Sequence, residues 1–288
     1  MKPAPFRYFA PRTVDEAISL LHEHGDEAKV LAGGQSLVPL MNFRFATPSV
    51  LIDVNRVDGL GDVRTGEVLQ IGATVRQLQA ENSPAIAQAV PVIRQALRYV
   101  GHAATRSRGT IGGSLAHADP AAELPAVLVA LDGDVSVRST RGERLVPARA
   151  LFAGLFTTSL EPDELITAIR FPALPGHSAV YEVARRRGDF AIAGAIALLT
   201  PSSEGTISQA RIALFGVGPT PARACAAEEF LIGRRCEDMT AISEAARIAT
   251  EPLQPFDDSQ IPGSYRKLAA QTAVKRALAA VATRVCHD

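Results

Sequence analysis

Two glycine pairs constrain the fold of this chain more than any other feature of its sequence. They stand in the segments Ala32-Gly33-Gly34-Gln35-Ser36 and Thr110-Ile111-Gly112-Gly113-Ser114, each beside apolar sequence. Adjacent glycines let the backbone adopt positive φ, and main-chain N–H groups can approach a ligand closely because no Cβ stands in the way. Successive N–H groups that point into one concavity bind anions. A lone glycine pair is usually an ordinary turn, but two of them could hold the two phosphates of a dinucleotide.

Composition and charge exclude several classes of function. The 288 residues can form two domains or one large one. Lys and Arg together number 30, as do Asp and Glu, so the net charge favours neither nucleic acid nor an anionic membrane as a partner. Tryptophan is absent, which argues against base-stacking surfaces. There is no signal-peptide core and no apolar run of about 18 residues, so we expect a soluble, cytoplasmic protein without an integral membrane segment.

Signatures of metal binding and of common nucleotide folds are missing. Cys225, Cys236 and Cys286 form no CxxC motif, so we expect buried, inert thiols and no disulfide framework, zinc site or iron–sulfur site. His117 and Asp119 could chelate a metal, but two ligands in a loop rarely suffice, and we predict no metal site. The chain also lacks the Rossmann GxGxxG, the P-loop, the GxSxG elbow and HExxH.

Hydrophobic periodicity predicts a small α/β unit at the N-terminus. Thr13 and Glu16 have the spacing of a capping box, and the helix that follows should end at Gly25. Short buried strands are predicted over 29–31 and 50–54. Beyond residue 57 the predicted elements are strands 68–72, 135–140, 143–146 and 165–171, a brief helix capped by Thr74 and Gln77, helices 84–97 and 123–131, and an irregular segment 100–109.

The segment 172–176 is the best candidate for a domain boundary, because its prolines and glycine interrupt regular structure. Beyond it, strand-like runs cover 179–185, 191–199 and 210–217. The alanine-rich middle run is also compatible with a helix. Three helices are predicted to finish the chain, over 225–232, 240–250 and 264–285.

The segment 105–120 is rich in Gly, Ser, Thr and Arg, which donate to phosphates without bulk. Arg106 and Arg108 would either bind phosphate or form a solvated charge pair. Glu123 follows closely, and a carboxylate there would repel a phosphate. It would therefore accept hydrogen bonds from hydroxyl or ring N–H groups of a ligand, or serve only as a first-turn acid favoured by the helix dipole.

Three stretches carry a family resemblance: AGGQSLVPLMNFR at 32–44, RSRGTIGGSLAHADPAAELPAVLVAL at 106–131 and YEVARRRGDFAIAGAI at 181–196. They resemble the flavin subunit of the molybdenum hydroxylases, which is the medium subunit of carbon monoxide dehydrogenase and the FAD domain of xanthine dehydrogenase. The resemblance implies an α+β fold with a two-lobed, PCMH-type FAD-binding domain over residues 1–174, its lobes spanning about 1–56 and 57–174. It also implies a CO dehydrogenase flavoprotein-like C-terminal domain over 175–288, with a three-stranded antiparallel sheet and a three-helix bundle.

The resemblance also implies which residues contact FAD. The first FAD loop would be Lys29, Val30, Leu31, Ala32, Gly33, Gly34, Gln35 and Ser36, and the second Thr110, Ile111, Gly112, Gly113 and Ser114. Gly101, Glu123, Ile166 and Glu182 fall at or near the remaining contacts. Glu182 departs from the family pattern, which often has a basic residue there, and Arg185 or Arg186 could compensate. Both glycine pairs should face the ligand, so valine at Gly33 or Gly113 is expected to release FAD with the fold retained.

The role implied by the resemblance is that of the FAD-binding subunit of an oxidoreductase. In such enzymes the substrate is oxidised at a molybdopterin in a large subunit, electrons cross two 2Fe–2S clusters in a small subunit, and FAD passes them to an external acceptor. We therefore expect non-covalent FAD, no catalytic side chain, and a dimer of heterotrimers (a heterohexamer). Two alternatives stay open: a stand-alone flavin-dependent oxidase, which would need its own substrate pocket and base, and a non-enzymatic nucleotide-binding protein.

Overall fold

The first lobe is a three-stranded parallel sheet in the order β1-β3-β2, with helix α1 packed against it. The computed structural model describes residues 2–285. The elements of this lobe are β1 Arg7–Phe9, α1 Val14–His24, β2 Ala28–Leu31, α2 Leu37–Asn42 and β3 Val50–Asp53. Because the strands are parallel, their carboxyl ends meet at one edge of the sheet, and the first glycine segment leaves β2 at that edge.

Helix α1 begins and ends where the sequence predicts. The backbone N–H of Glu16 donates to Thr13 Oγ1 (3.1 Å), and that of Thr13 donates to Glu16 Oε2 (3.3 Å), so the capping box is confirmed. Gly25, with a φ of 48°, follows the last helical residue. The buried residues of α1 share one helical face and enter the core of this lobe; they are Ala17, Ile18 and Leu21.

The second lobe is built on a five-stranded antiparallel sheet in the order β4-β5-β10-β6-β7. Its strands are β4 Val63–Arg64, β5 Val68–Gly72, β6 Asp134–Ser139, β7 Gly142–Pro147 and β10 Leu165–Pro172, and a small hairpin adds β8 Phe152–Gly154 and β9 Thr157–Thr158. Its helices are α3 Gln77–Asn82, α4 Pro84–Ala89, α5 Pro91–Leu97, α6 Ala103–Arg108, α7 Ile111–His117, α8 Glu123–Ala130 and α9 Ala148–Leu151.

Three local predictions in this lobe are wrong. Pro91 divides the helix expected over 84–97, because its ring has no N–H to continue the ladder and instead starts a new helix at the N1 position. Thr74 does not cap α3, which begins only after Arg76. The segment 100–109 contains α6, whose polar residues give no apolar periodicity to read.

The C-terminal part consists of an antiparallel sheet and three helices. Its strands are β11 His177–Val183, β12 Ala193–Pro201, β13 Ile207–Phe215 and β14 Ala222–Arg223, in that order, and its helices are α10 Cys225–Leu231, α11 Met239–Thr250 and α12 Gly263–Val285. The three predicted strands and three predicted helices are all present, and the two-residue edge strand β14 is an addition. No helix within residues 2–285 is long and apolar enough to cross a membrane.

The alanine-rich run that was compatible with strand or helix is the strand β12. Successive side chains of a strand face opposite sides of the sheet. Ala195, Ala197 and Leu199 pack with the C-terminal helices, whereas Ile196 and Leu198 join the core of the second lobe. Because both faces are buried, the strand is apolar throughout, and this hides the period of two from the sequence.

The cysteines differ in exposure. Cys236 is buried, as expected, but Cys225 is exposed at the first turn of α10, so the expectation of a buried thiol is wrong there. The first turn of a surface helix keeps only one face against the core, and Cys225 lies on the other face. Cys286 lies outside the described residues.

Candidate FAD site

The two glycine segments lie in contact where the lobes meet. A Cβ atom on Gly33 would stand 2.5 Å from the carbonyl oxygen of Arg108 and 2.8 Å from the Cα of Gly109. Interiors are packed at van der Waals distance, so no side chain fits between these backbones and only glycine allows the approach. The segment 32–36 therefore packs directly on the residues that lead into α7.

The first segment presents four backbone donors without a partner. The N–H groups of Gly33, Gly34, Gln35 and Ser36 donate to no atom within residues 2–285. Gly34 has a φ of 71°, which glycine adopts without strain, and the chain turns here from β2 towards α2. A run of free N–H groups in a turn is suited to an anion such as phosphate. This part of the predicted loop has the donors that a pyrophosphate needs.

The second segment is not the open turn that its sequence suggests. Gly112 and Gly113 lie in the first turn of α7, and Thr110 caps that helix. All of its early N–H groups are used: Ile111 N donates to Val75 O (3.0 Å), Gly112 N to Ala73 O (3.0 Å), Gly113 N to Thr110 Oγ1 (3.0 Å) and Ser114 N to Thr110 O (3.2 Å). The expectation of a second nest of free donors is therefore wrong. The glycines here let α7 approach Ala73, since a Cβ on Gly112 would stand 2.7 Å from the Ala73 Cβ.

Arg106 and Arg108 serve different purposes. Arg106 is largely buried and donates from Nε to Glu81 Oε2 (2.7 Å) and from Nη1 to the carbonyl oxygens of Val100 (2.9 Å) and Gly101 (3.2 Å). It is neither a free phosphate donor nor a solvated charge, so both interpretations of this residue are wrong. The side chain of Arg108 is exposed and has no hydrogen bond or ion pair within residues 2–285, which leaves it available to a phosphate.

The remaining predicted contacts lie in different surroundings. Gly101 has a φ of 44°. Gly188 lies in the loop after β11, and a Cβ on it would stand 3.0 Å from the Gly101 carbonyl oxygen. The loop that follows Glu182 along β11 therefore touches the segment before α6. Ile166 is 5% exposed and packs in the core of the second lobe, while Lys29–Leu31 form most of β2. The structure thus joins the glycine segments, α6 and the β11 loop into one continuous region, and leaves the Ile166 side chain in the core.

Glu123, which is buried, and Glu182, which is half-buried, form a carboxyl pair. Burial raises the pKa of Glu123 well above its ordinary value, and the charge of Glu182 raises it further. Burial also raises the pKa of Glu182 to about 7, although a hydrogen bond with Glu123 acts in the opposite direction. Glu182 Oε2 is buried and has no hydrogen-bond partner within residues 2–285. The raised pKa values favour a proton that the two carboxyl groups share, and such a proton would give Glu182 Oε2 a partner.

Neither neighbouring arginine neutralises this pair. The guanidinium of Arg185 donates to the amide oxygen of Gln260, and Arg186 Nε lies 3.3 Å from Asp189 Oδ2. Within residues 2–285, neither side chain forms an ion pair with Glu182. The expectation that one of these arginines replaces a basic residue at position 182 has no support in the structure, and proton sharing with Glu123 takes that place.

Two side chains that the sequence did not single out connect the glycine segments. Asn55 donates from Nδ2 to the Ala32 carbonyl oxygen (2.8 Å), and Arg76 donates from Nη2 to Asn55 Oδ1 (2.7 Å). Arg76 also donates from Nη1 to the Arg108 carbonyl oxygen. The position of Asn55, just beyond the carboxyl end of a parallel strand, was a signal available in the sequence; Arg76 has no local signal.

The two residues considered for metal binding have another setting. The His117 ring packs against Phe156, with ring centroids 5.2 Å apart, and burial lowers its pKa. Within residues 2–285, no three His, Cys, Asp or Glu side chains converge as metal ligands would.

These features fit FAD. The unpaired N–H groups at 33–36 and the exposed guanidinium of Arg108 have the chemistry to bind two phosphates. The Glu123 and Glu182 carboxyl pair suits a hydroxyl or ring N–H group rather than a phosphate.

Alanine at Gly33 should weaken FAD binding and destabilise the protein together. The new Cβ would press on the Arg108 carbonyl and separate the two segments, and overpacking of this kind costs about 1–3 kcal/mol of unfolding free energy. Denaturant unfolding of flavin-free protein and titration with FAD measure the two effects. Gly66→Ala is the matched control, because only the Val68 carbonyl oxygen, at 3.9 Å, lies near its Cβ. A Gly33→Ala protein with the stability and affinity of the control would contradict the contact.

Glutamine at Glu182 should stabilise the flavin-free protein at pH 8 more than at pH 5. A carboxyl whose pKa is raised on folding contributes stability below its unfolded pKa and loses it as the pH rises towards about 7. Glutamine removes that loss, and we expect a gain of about 1–2 kcal/mol at pH 8 and almost none at pH 5. Thermal unfolding at both pH values measures it, with the exposed Glu143→Gln as control. An equal change at both pH values would contradict the buried pair.

The chain matches two families over nearly its whole length. These are "FAD binding domain in molybdopterin dehydrogenase" over residues 4–174 and "CO dehydrogenase flavoprotein C-terminal domain" over residues 178–281. It is 43% identical to the 6-hydroxypseudooxynicotine dehydrogenase complex subunit alpha of Paenarthrobacter nicotinovorans, over 97% of this chain and 95% of that relative. It is 37% identical to the carbon monoxide dehydrogenase medium chain of Hydrogenophaga pseudoflava, over 99% of each chain.

A solved structure agrees with the sequence comparisons. A chain of quinoline 2-oxidoreductase from Pseudomonas putida 86 superposes with a TM-score of 0.95 and 36% identity, over 99% of each chain. The fold and the matching FAD-binding domain therefore lead to the same assignment as the sequence similarity over nearly the full length of the relatives. The chain is an oxidoreductase subunit and belongs to the FAD-binding flavoproteins of the molybdopterin dehydrogenases, the family of the carbon monoxide dehydrogenase medium chain.

Proposed function

We propose that this chain passes electrons, through FAD, from the 2Fe–2S clusters of a partner subunit to an external acceptor. The observation that carries the proposal is the near full-length match to proteins named as subunits of dehydrogenases, one of them a medium chain. When bound, FAD supplies the redox chemistry, and the protein supplies binding, orientation and electrostatics. No side chain of this chain needs to act as a general base.

The residues of the chain would divide the binding of FAD between them. The N–H groups of 33–36 and the guanidinium of Arg108 would hold the phosphates, and Ser114 would add a hydroxyl from α7. Glu182 would accept a hydrogen bond from a hydroxyl or ring N–H group, with Glu123 holding the shared proton. Besides Arg108, the proposed contacts are those that the family resemblance implies: Lys29, Val30, Leu31, Ala32, Gly33, Gly34, Gln35, Ser36, Gly101, Thr110, Ile111, Gly112, Gly113, Ser114, Glu123, Ile166 and Glu182.

The proposed organisation follows the same relatives. Residues 1–174 would form the FAD-binding domain, with lobes of about 1–56 and 57–174, and residues 175–288 the C-terminal domain. The partners would be a large molybdopterin subunit and a small iron–sulfur subunit, joined with this chain as a dimer of heterotrimers in the cytoplasm. The word "medium" in the name of one relative supports a larger and a smaller partner.

Reconstitution of the complex tests the electron path. Purified protein should contain one FAD per chain, released by acid into the supernatant. In a complex stripped of FAD, the reducing substrate should still bleach the iron–sulfur absorbance, while reduction of an external acceptor should fall at least tenfold and return on addition of FAD. This result follows because FAD would lie between the clusters and the acceptor.

Three results would contradict the proposal. Flavin that stays with acid-precipitated protein would exclude non-covalent binding, and a chain that takes up no FAD would exclude the cofactor. If the isolated chain oxidised a small organic substrate at on the order of 10 per second, a stand-alone oxidase would be the better assignment.

A further inference from the structure

We propose that Arg76, acting with Asn55, is a positioning residue of the FAD site that holds the two glycine segments at a fixed spacing. Neither residue belongs to the set that the family resemblance implies. The inference rests on the proposed function, in which FAD lies against both segments. In this role Arg76 fixes the positions of the two loops by hydrogen bonds and does not itself contact the cofactor.

A continuous series of hydrogen bonds joins the first segment to Arg108, two residues before the second segment. It runs from the Ala32 carbonyl to Asn55 Nδ2 (2.8 Å), from Asn55 Oδ1 to Arg76 Nη2 (2.7 Å), and from Arg76 Nη1 to the Arg108 carbonyl. Ala32 and Asn55 belong to the first lobe, and Arg76 and Arg108 to the second. The guanidinium therefore bridges the lobes beside Gly33, where the backbones are in contact.

The two side chains of this hydrogen-bond series, Asn55 and Arg76, are each fixed by further hydrogen bonds. The backbone of Arg76 forms an isolated β-bridge with Thr110, and the adjoining Gln77 N–H donates to the Gly109 carbonyl (2.8 Å). The base of the Arg76 side chain is thus fixed to the start of α7. Asn55 is fixed by Asp53, whose Oδ1 accepts from Asn55 N (2.9 Å) and Nδ2 (2.6 Å).

Asp53 is held ionised in turn. Burial favours its neutral form, but hydrogen bonds from Tyr8 and Asn55 outweigh it and lower the pKa of Asp53. Tyr8 OH lies 2.5 Å from Asp53 Oδ2. Every member of the series from Tyr8 to Arg76 therefore has a defined partner, so the position of one glycine segment is transmitted to the other.

The role of Arg76 depends on its shape more than on its charge. A guanidinium presents several N–H groups in a rigid plane and can donate to two acceptors at once, whereas an ammonium is a flexible point charge. Lysine at position 76 would keep the charge but could not hold both Asn55 Oδ1 and the Arg108 carbonyl in this geometry. A residue that acted only through its charge on the phosphates would tolerate lysine.

Arg76→Lys and Arg76→Met should both weaken FAD binding about tenfold or more, because each loses the bridge between Asn55 Oδ1 and the Arg108 carbonyl oxygen. Asn55→Ala should act in the same direction. In a double-mutant cycle, Asn55→Ala should add little to Arg76→Met, because both break the same series. The exposed Arg94 of α5, which has no hydrogen bond or ion pair within residues 2–285, provides the controls Arg94→Lys and Arg94→Met.

The measurements are FAD titration of the flavin-free full-length chain and its melting temperature without flavin. A Kd that rises similarly for lysine and methionine, with the flavin-free melting temperature within a few degrees of the Arg94 controls, supports positioning.

Wild-type affinity in Arg76→Lys would overturn the positioning role in favour of a role for the charge alone. A lowered melting temperature with unchanged Kd would overturn it in favour of a purely structural role. If the Arg76 variants do not fold, unchanged affinity in Asn55→Ala would overturn it. Failure of the wild-type chain to bind FAD would overturn the proposed function itself.

Discussion

The contact between the Gly33 backbone and the backbone of Arg108 and Gly109 is the constraint on which the candidate site depends. Leu165 of β10 packs in the hydrophobic core of the first lobe, so the lobes also share apolar contacts, but the edge of the parallel sheet meets the residues before α7 through backbone. The absence of a side chain at residue 33 allows that meeting, and the donors of the first segment are then presented beside Arg108. A larger residue would move the lobes apart at the point where a pyrophosphate would bind.

The two glycine segments are similar in sequence but have different roles. In the first segment the N–H groups stay unpaired and can bind an anion. In the second, Thr110 caps α7 and the N–H groups of 111–114 bond within the second lobe, so the glycines serve close packing. The difference arises because β2 is an edge strand that ends in a turn, whereas the second segment runs alongside residues 73–75. A glycine pair therefore predicts close backbone approach, and its surroundings decide whether a ligand or another segment approaches.

The sequence predicted the helices and strands that are determined by neighbouring residues. The Thr13 and Glu16 capping box, the short strands and the final helix over 263–285 follow from propensity, capping and periodicity. The strand β12 could not be separated from a helix, because it is buried on both faces by two different parts of the chain. The helix α6 escaped prediction because contacts of Arg106 with Glu81 and Gly101, and not an apolar face, hold it in place. The site was predicted where a motif marked it, and the Asn55 and Arg76 connection was not, because it exists only once the lobes meet.

The electrostatics of the site follow from the hydrogen-bond and ion-pair partners of its charged residues. At the glycine segments, the guanidinium of Arg76 is committed to neutral acceptors, so its charge is not cancelled by an ion pair, and Arg108 is free beside it. At Glu123 and Glu182, two acids occupy a buried place without a counter-ion within residues 2–285, and they reduce their charge by holding a proton between them. The first arrangement favours an anion, and the second favours a neutral donor group. FAD carries both kinds of group, since its pyrophosphate lies in the middle of the molecule between hydroxyl-bearing chains, and its isoalloxazine ring has an N–H group, so it could satisfy both arrangements.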